Sequence, residues 1–126
     1  MAILSEESKV HSGHKEWNLY KVFNDQSVDE TKSDEVDARN AEQISLIVDT
    51  GTGVSSGVVK LEGAAIAGYT GTWIELGSIT LTAASKEYGV SVGIGTTTGM
   101  PVRVVRARIE TVIGGGNVDA YIGIQR

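Results

Sequence analysis

The stretch Gly114-Gly115-Gly116-Asn117-Val118-Asp119-Ala120-Tyr121-Ile122-Gly123-Ile124-Gln125 decides the fold. Its glycines make a tight turn, and the residues after them alternate in character. Val118, Ala120, Ile122 and Ile124 fall on one face; Asp119, Tyr121, Gly123 and Gln125 fall on the other. A period of two describes a strand with one face buried and one in water. Before the turn, Val105, Ala107 and Ile109 alternate with Arg106, Arg108 and Glu110, so the glycines join two antiparallel strands.

The same period recurs upstream. Ile44, Leu46 and Val48 alternate with Ser45, Ile47 and Asp49 before the turn Asp49-Thr50-Gly51-Thr52-Gly53. Val59, Leu61 and Gly63 face away from Lys60 and Glu62. Trp73 to Leu76 and Ile79 to Leu81 read as two short strands broken at Gly77, and Tyr88, Val90, Val92 and Ile94 alternate with small residues. The spacing predicts about eight strands separated by turns and no long amphipathic helix, which is the pattern of sandwiches and jelly rolls. Gaps too short for parallel crossovers make the sheets antiparallel. The expected fold is an all-β, antiparallel β-sandwich, jelly-roll-like, with an extended N-terminal arm.

The arm is read from composition. Residues 1–41 hold nine acids and five bases, while residues 42–126 hold seven acids and six bases. From Asn24 to Ala41 the apolar members are Val28, Val36 and two alanines, too few to offset the entropy of ordering the backbone. A helix over residues 28–44 is the competing reading, but its apolar residues form no stripe. The division expected is an arm or linker over 1–41 and a sandwich domain over 42–126. Just before the polar stretch, Trp17, Leu19, Tyr20, Val22 and Phe23 make a short sticky segment, read as a strand.

At 126 residues the chain has room for one core. A net charge of -5 argues against nucleic-acid binding, which needs a basic surface. The absence of cysteine removes disulfides, thiolate metal sites and a cysteine nucleophile. No secretory apolar region follows the first residues, and nothing reaches the roughly 18 apolar residues of a membrane helix. The chain is expected to be made in the cytoplasm, to stay soluble and to contact no membrane.

Chemistry-bearing patterns are sparse. His11 and His14 are spaced like a metal pair, but the further ligands of a tetrahedral site are missing, and solvated histidines are the simpler account. Gly51-Thr52-Gly53 and Gly93-Ile94-Gly95 resemble pieces of phosphate loops without the following helix. Asp49 and Asp119 flank turns, as calcium ligands do, without a dense oxygen cluster. Trp73 after a glycine loop suits a sugar-stacking platform, though core packing is the simpler role. Arg103, Arg106 and Arg108 form the cationic cluster of the sandwich. They suit a solvated sheet face paired with Glu62 and Glu110, or a subunit contact with the acids of residues 25–37. The expectation is a protein without catalytic residues, cofactor or metal.

The segments Val59-Lys60-Leu61-Glu62-Gly63, Gly71-Thr72-Trp73 with Glu75-Leu76, Val102-Arg103-Val104-Val105-Arg106-Ala107 and Gly114-Gly115-Gly116-Asn117-Val118 resemble small virion structural proteins of tailed bacteriophages, in particular capsid decoration or cement proteins. The resemblance runs from about Ile44 to Arg126. It implies a β-rich module, often a trimer, on the outer capsid surface, bridging subunits of the major capsid protein. Trp17, Leu19, Tyr20 and Phe23 would then be the capsid anchors, and Arg103, Arg106 and Arg108 the subunit interface. The alternative from another class is a carbohydrate-binding or adhesion module, which would expose aromatics from among Trp73, Tyr69, Tyr88 and Tyr121.

Overall fold

The computed structural model describes residues 8–12, 15–93 and 101–126. They form nine strands: β1 (Ser8–Ser12), β2 (Lys15–Gln26), β3 (Val36–Asp37), β4 (Gln43–Thr50), β5 (Ser56–Ala64), β6 (Ile74–Thr80), β7 (Glu87–Gly93), β8 (Val104–Gly114) and β9 (Val118–Gln125). No helix occurs among the described residues.

The pairing is nested. Strand β5 pairs with β6, β4 with β7, β3 with β8 and β2 with β9, all antiparallel. The chain is thus one long hairpin, and rolling it brings β9 against β4 and β8 against β5. Two sheets result, in the orders β1-β2-β9-β4-β7 and β3-β8-β5-β6. With β1 set aside as an added edge strand, this is a jelly roll.

The period-two reading holds where it was strongest. Val118, Ala120, Ile122 and Ile124 of β9 share the inner face of their sheet with Ile44, Leu46 and Val48 of the neighbouring β4 and form one core with Val59, Leu61, Val105, Ala107 and Ile109 of the opposite sheet, and all are buried. The turn before β9 packs back to back with the β4–β5 turn. Gly51 N–H donates to the Asn117 carbonyl and Ser55 N–H to the Gly114 carbonyl, each at 2.9 Å. Gly115 and Gly53 both adopt φ of +86°, and a Cβ on either would run into the carbonyl of the other.

Two expectations need correcting. Gly77 does not break the strand: β6 is continuous, because a Cβ there would lie 3.1 Å from Val90 Cγ1 and glycine lets β6 and β7 approach across the sandwich. Nor are residues 15–41 an arm. Strand β2 lies between β1 and β9 inside the five-stranded sheet, and residues 27–41 run along β8. Ile109 N–H donates to the Thr31 carbonyl, and Ser33 and Ala107 exchange bonds through the Ser33 N–H and hydroxyl. Val36, Ala38 and Ala41 are buried in the core. Backbone bonds to a finished strand order this polar segment, where its own apolar content could not.

Candidate docking face

Alternation along β5 and β8 sends Lys60, Glu62, Arg106, Arg108 and Glu110 to the outer face of the four-stranded sheet, and the register sets Glu62 opposite Arg106 and Lys60 opposite Arg108. Glu62, buried, accepts from Arg106 Nε at 3.1 Å and from Arg108 Nε at 2.8 Å. Arg108 Nη1 reaches Glu30 at 3.0 Å. Lys60 Nζ bridges Glu75 at 2.6 Å and Glu110 at 2.9 Å. The Glu62 hydrogen bond holds the Arg108 guanidinium above its ordinary pKa, and the carboxylates of Glu75 and Glu110 do the same for Lys60. The Arg106 guanidinium covers the ring of Trp73, which packs with Ala64 and Val104 in a small apolar cluster outside the main core.

Beyond Trp73 the face changes character. Gly63, Ala64, Ala65, Ile66, Tyr69, Thr72 and Ile74 line an open hollow of about 330 Å³ at the end of β5 and the start of β6. Ile66, Tyr69 and Ile74 are 58%, 40% and 47% exposed, three of the five large apolar side chains that stand exposed among the described residues. The loop presenting them is held in shape. Gly68 N–H donates to both oxygens of the buried Glu35 carboxylate, at 2.9 and 3.0 Å, and Trp73 Nε1 donates to the Tyr69 carbonyl at 2.9 Å. Gly68 has φ of +72°, and the tip of Tyr69 fills the space where a Gly71 side chain would be. Arg103 N–H donates to the Ala64 carbonyl at 2.8 Å, tying the backbone ahead of β8 to the end of β5, and Arg103 itself is exposed.

The four residues expected to anchor a partner divide. Phe23 is buried in the core and offers no contact surface, while Tyr20 packs against the core and is half-buried. Trp17 and Leu19 lie on the outer face of the five-stranded sheet, half-buried over Gly123. Of the expected interface arginines, Arg106 and Arg108 are occupied within the chain. The pairing foreseen between subunits, an arginine with an acid of residues 25–37, is made inside one molecule as Arg108–Glu30. Glu110 pairs with Lys60 rather than with an arginine. Arg103 alone of the three has no carboxylate partner among the described residues.

Trp73 is excluded as a stacking platform by the cation over it. Tyr88 spends its hydroxyl on the Thr82 and Ala83 N–H groups, each at 3.0 Å, and Tyr121 is half-buried with Lys21 Nζ 5.8 Å from its ring centre. Asp25, Asp49 and Asp119 line a small recess at the opposite end of the sandwich, where Asp119 accepts from the Asp25 N–H and pairs with Lys21. His14 and the side chain of His11 lie outside the described residues, as do Ile94 and Gly95. The hollow itself was not singled out from sequence. Its signal is Ala64-Ala65-Ile66-Ala67-Gly68-Tyr69, an apolar run in what the pattern marks as a loop.

The fold and face together define a jelly-roll β-sandwich with an open apolar hollow at one end. No protein-family model and no curated protein sequence matches the chain. Among solved structures it is similar to the SPBc2 prophage-derived protein YomS, with a TM-score of 0.62 and 10% identity over 93% of this chain and 99% of that one. It is also similar to the K2 cleaved adhesin domain of Lys-gingipain, with a TM-score of 0.55 and 10% identity over 91% of this chain and 75% of that one. At this identity both are likenesses of fold.

Proposed function

We propose that this chain is a non-catalytic structural part of a phage particle. In its finer form the proposal is a decoration protein that is made in the host cytoplasm, sits on the outer capsid surface as a homotrimer and bridges subunits of the major capsid protein. The observation that carries it is the hollow bounded by Ile66, Tyr69 and Ile74. Exposed apolar side chains gathered on one patch mark a contact surface. A loop already fixed by Glu35 and Trp73 loses little freedom on docking, so more of the burial appears as affinity. The acidic balance favours a protein partner over nucleic acid. The sequence resemblance falls on β5, β6 and β8, strands of the sheet that carries this face, and on the turn into β9, and a fold shared with a prophage-derived protein agrees with it. Many weak copies on a lattice would stabilise it through multivalency.

The adhesion reading needs a row of exposed aromatics. Of Trp73, Tyr69, Tyr88 and Tyr121 only Tyr69 is exposed, which favours protein contact over a sugar platform. Immunogold labelling of purified particles from the host that carries the gene tests the proposal. Label over the shell supports decoration, label on the tail supports a structural or adhesive role elsewhere, and particles free of the chain overturn the virion reading.

A further inference from the structure

We propose that the free edge of β7 docks on itself: the segment Gly89-Val90-Ser91-Val92-Gly93 pairs antiparallel with the same segment of a second copy, about a two-fold axis at Ser91, and joins the two five-stranded sheets into one. The inference goes beyond the hollow and does not rest on it.

Strand β7 ends the order β1-β2-β9-β4-β7, and among the described residues its pairing partner is β4 alone. The register runs from Gln43–Gly93 to Asp49–Glu87 without a shift, and one step beyond it Thr50 N–H donates to the Lys86 carbonyl at 2.9 Å. Hydrogen-bonded pairs alternate along an antiparallel ladder, so Tyr88, Val90 and Val92 turn their backbone groups toward β4. The N–H and C=O groups of Gly89, Ser91 and Gly93 therefore point outward, away from β4.

Such an edge is ordinarily guarded by charge, proline, a bulge or shortness. Strand β6, at the edge of the other sheet, has a register shift beside Glu75, whose carboxylate pairs with Lys60. Strand β3, at that sheet's far edge, is two residues long. From Tyr88 to Gly93, β7 has no charged residue, no proline and no shift. A strand left bare in this way is a template for another strand.

The sequence names the occupant. Gly89-Val90-Ser91-Val92-Gly93 reads alike in both directions, and a two-fold axis sets a strand against its own reverse. Centred on Ser91, the pairing places Ser91 against the partner's Ser91, Gly89 against the partner's Gly93 and Val90 against the partner's Val92. Parity agrees: the positions that must meet as hydrogen-bonded pairs, 89, 91 and 93, are those whose backbone groups are turned outward. Val90 and Val92 are half-buried at the border of the core, and each gains apolar cover from the valine opposite. Glycine at 89 and 93 answers no demand among the described residues: a Cβ at Gly93 would meet nothing within 4 Å, and one at Gly89 only the Leu46 carbonyl at 3.8 Å. Bare positions at both ends of the segment let a second backbone lie close. The contact is isologous, so it is separate from the three-fold contact of a homotrimer and would join one trimer to the next.

Sedimentation equilibrium of the full chain tests the proposal. The mass is expected to rise with concentration to at least twice that of Ser91→Lys, which sets two ammonium groups face to face at the axis and weakens pairing by about tenfold or more. Ser91→Glu should do the same. An equimolar mixture of the two variants should restore association, because opposite charges then meet. Ser91 is exposed, and a circular dichroism spectrum like the parent's shows that each variant is folded. Amide exchange at Gly89, Ser91 and Gly93 of the parent should slow as concentration rises, a readout that needs no variant. A parent whose mass and exchange do not change with concentration, association that survives both substitutions, or a mixture no more associated than its components overturns the proposal.

Discussion

The guanidinium carbon of Arg106 stands 4.0 Å from the centre of the Trp73 ring, and that contact divides the outer face of the four-stranded sheet into two surfaces. On one side Lys60, Arg106 and Arg108 are each ion-paired, with Glu30, Glu62, Glu75 and Glu110 as their partners. On the other, the Trp73 indole supports a loop whose Ile66 and Tyr69, with Ile74 beside them, stand exposed among the described residues. The closed side contributes rigidity, and the open side can contribute binding.

Glu62 is the group on which the closed side depends. Glu62→Ala leaves two largely buried guanidiniums without their shared acceptor, and the expected loss is about 3 kcal/mol. Glu62→Gln keeps one oxygen acceptor and is expected to lose less. Urea titrations with an unchanged m-value measure both; an Ala variant as stable as the parent would show that water compensates both arginines.

Phe23→Ala is expected to cost about 3–4 kcal/mol, the cost of emptying an aromatic site in a packed core. Trp17→Ala, on the half-exposed outer face, is expected to cost about 1 kcal/mol. Deleting residues 1–41 removes the strand between β1 and β9, so the remainder should lose cooperative thermal unfolding by circular dichroism. A cooperative 42–126 fragment would restore the arm that composition suggested.

Two glycines with similar backbone conformation should respond differently to alanine. At Gly68 the space is open, so Gly68→Ala carries only the left-handed backbone penalty of about 1 kcal/mol. At Gly115 the new methyl group also meets the Gly53 carbonyl, and the expected cost rises to about 3 kcal/mol. Equal losses in thermal or urea denaturation would mean that the two turns separate easily.

Asp49 and Glu87 face each other across β4 and β7. Hydrogen bonding to Asp49, and then repulsion from it, raises the Glu87 carboxyl above the ordinary value of 4.5. A raised carboxyl favours folding fully only below 4.5, and that contribution is lost as pH rises through the folded value. Glu87→Gln should therefore be more stable than the parent at neutral pH, with the advantage shrinking on acidification and gone below pH 4.5. A stability difference independent of pH would assign the effect to packing.

The sandwich was legible wherever one face of a strand meets water and the other the core, as in β4, β5, β8 and β9. Jelly-roll order was also the right preference. Residues 27–41 were not legible, because what orders them is a set of bonds to β8, some seventy positions away in the chain for Ser33 and Ala107. Composition registers side chains and not such bonds. Phe23 was misplaced for the same reason: an aromatic in a polar neighbourhood looks exposed until β9 is laid beside it. The hollow was missed because an apolar loop breaks the rule that loops are polar, and its shape depends on Glu35, a carboxylate that sequence alone places in solvent.

The nested hairpin has a consequence for synthesis. Strand β9 lies between β2 and β4, so both of those earlier strands leave the ribosome without their common neighbour. Trp17 must wait for Gln125 before it has a partner on that side. While residues 118–125 are still inside the exit tunnel, the inner faces of β2 and β4 can only be shielded provisionally. Folding therefore cannot proceed from the N-terminus in step with translation, and the five-stranded sheet closes in a single late event, when the strand that completes it comes free.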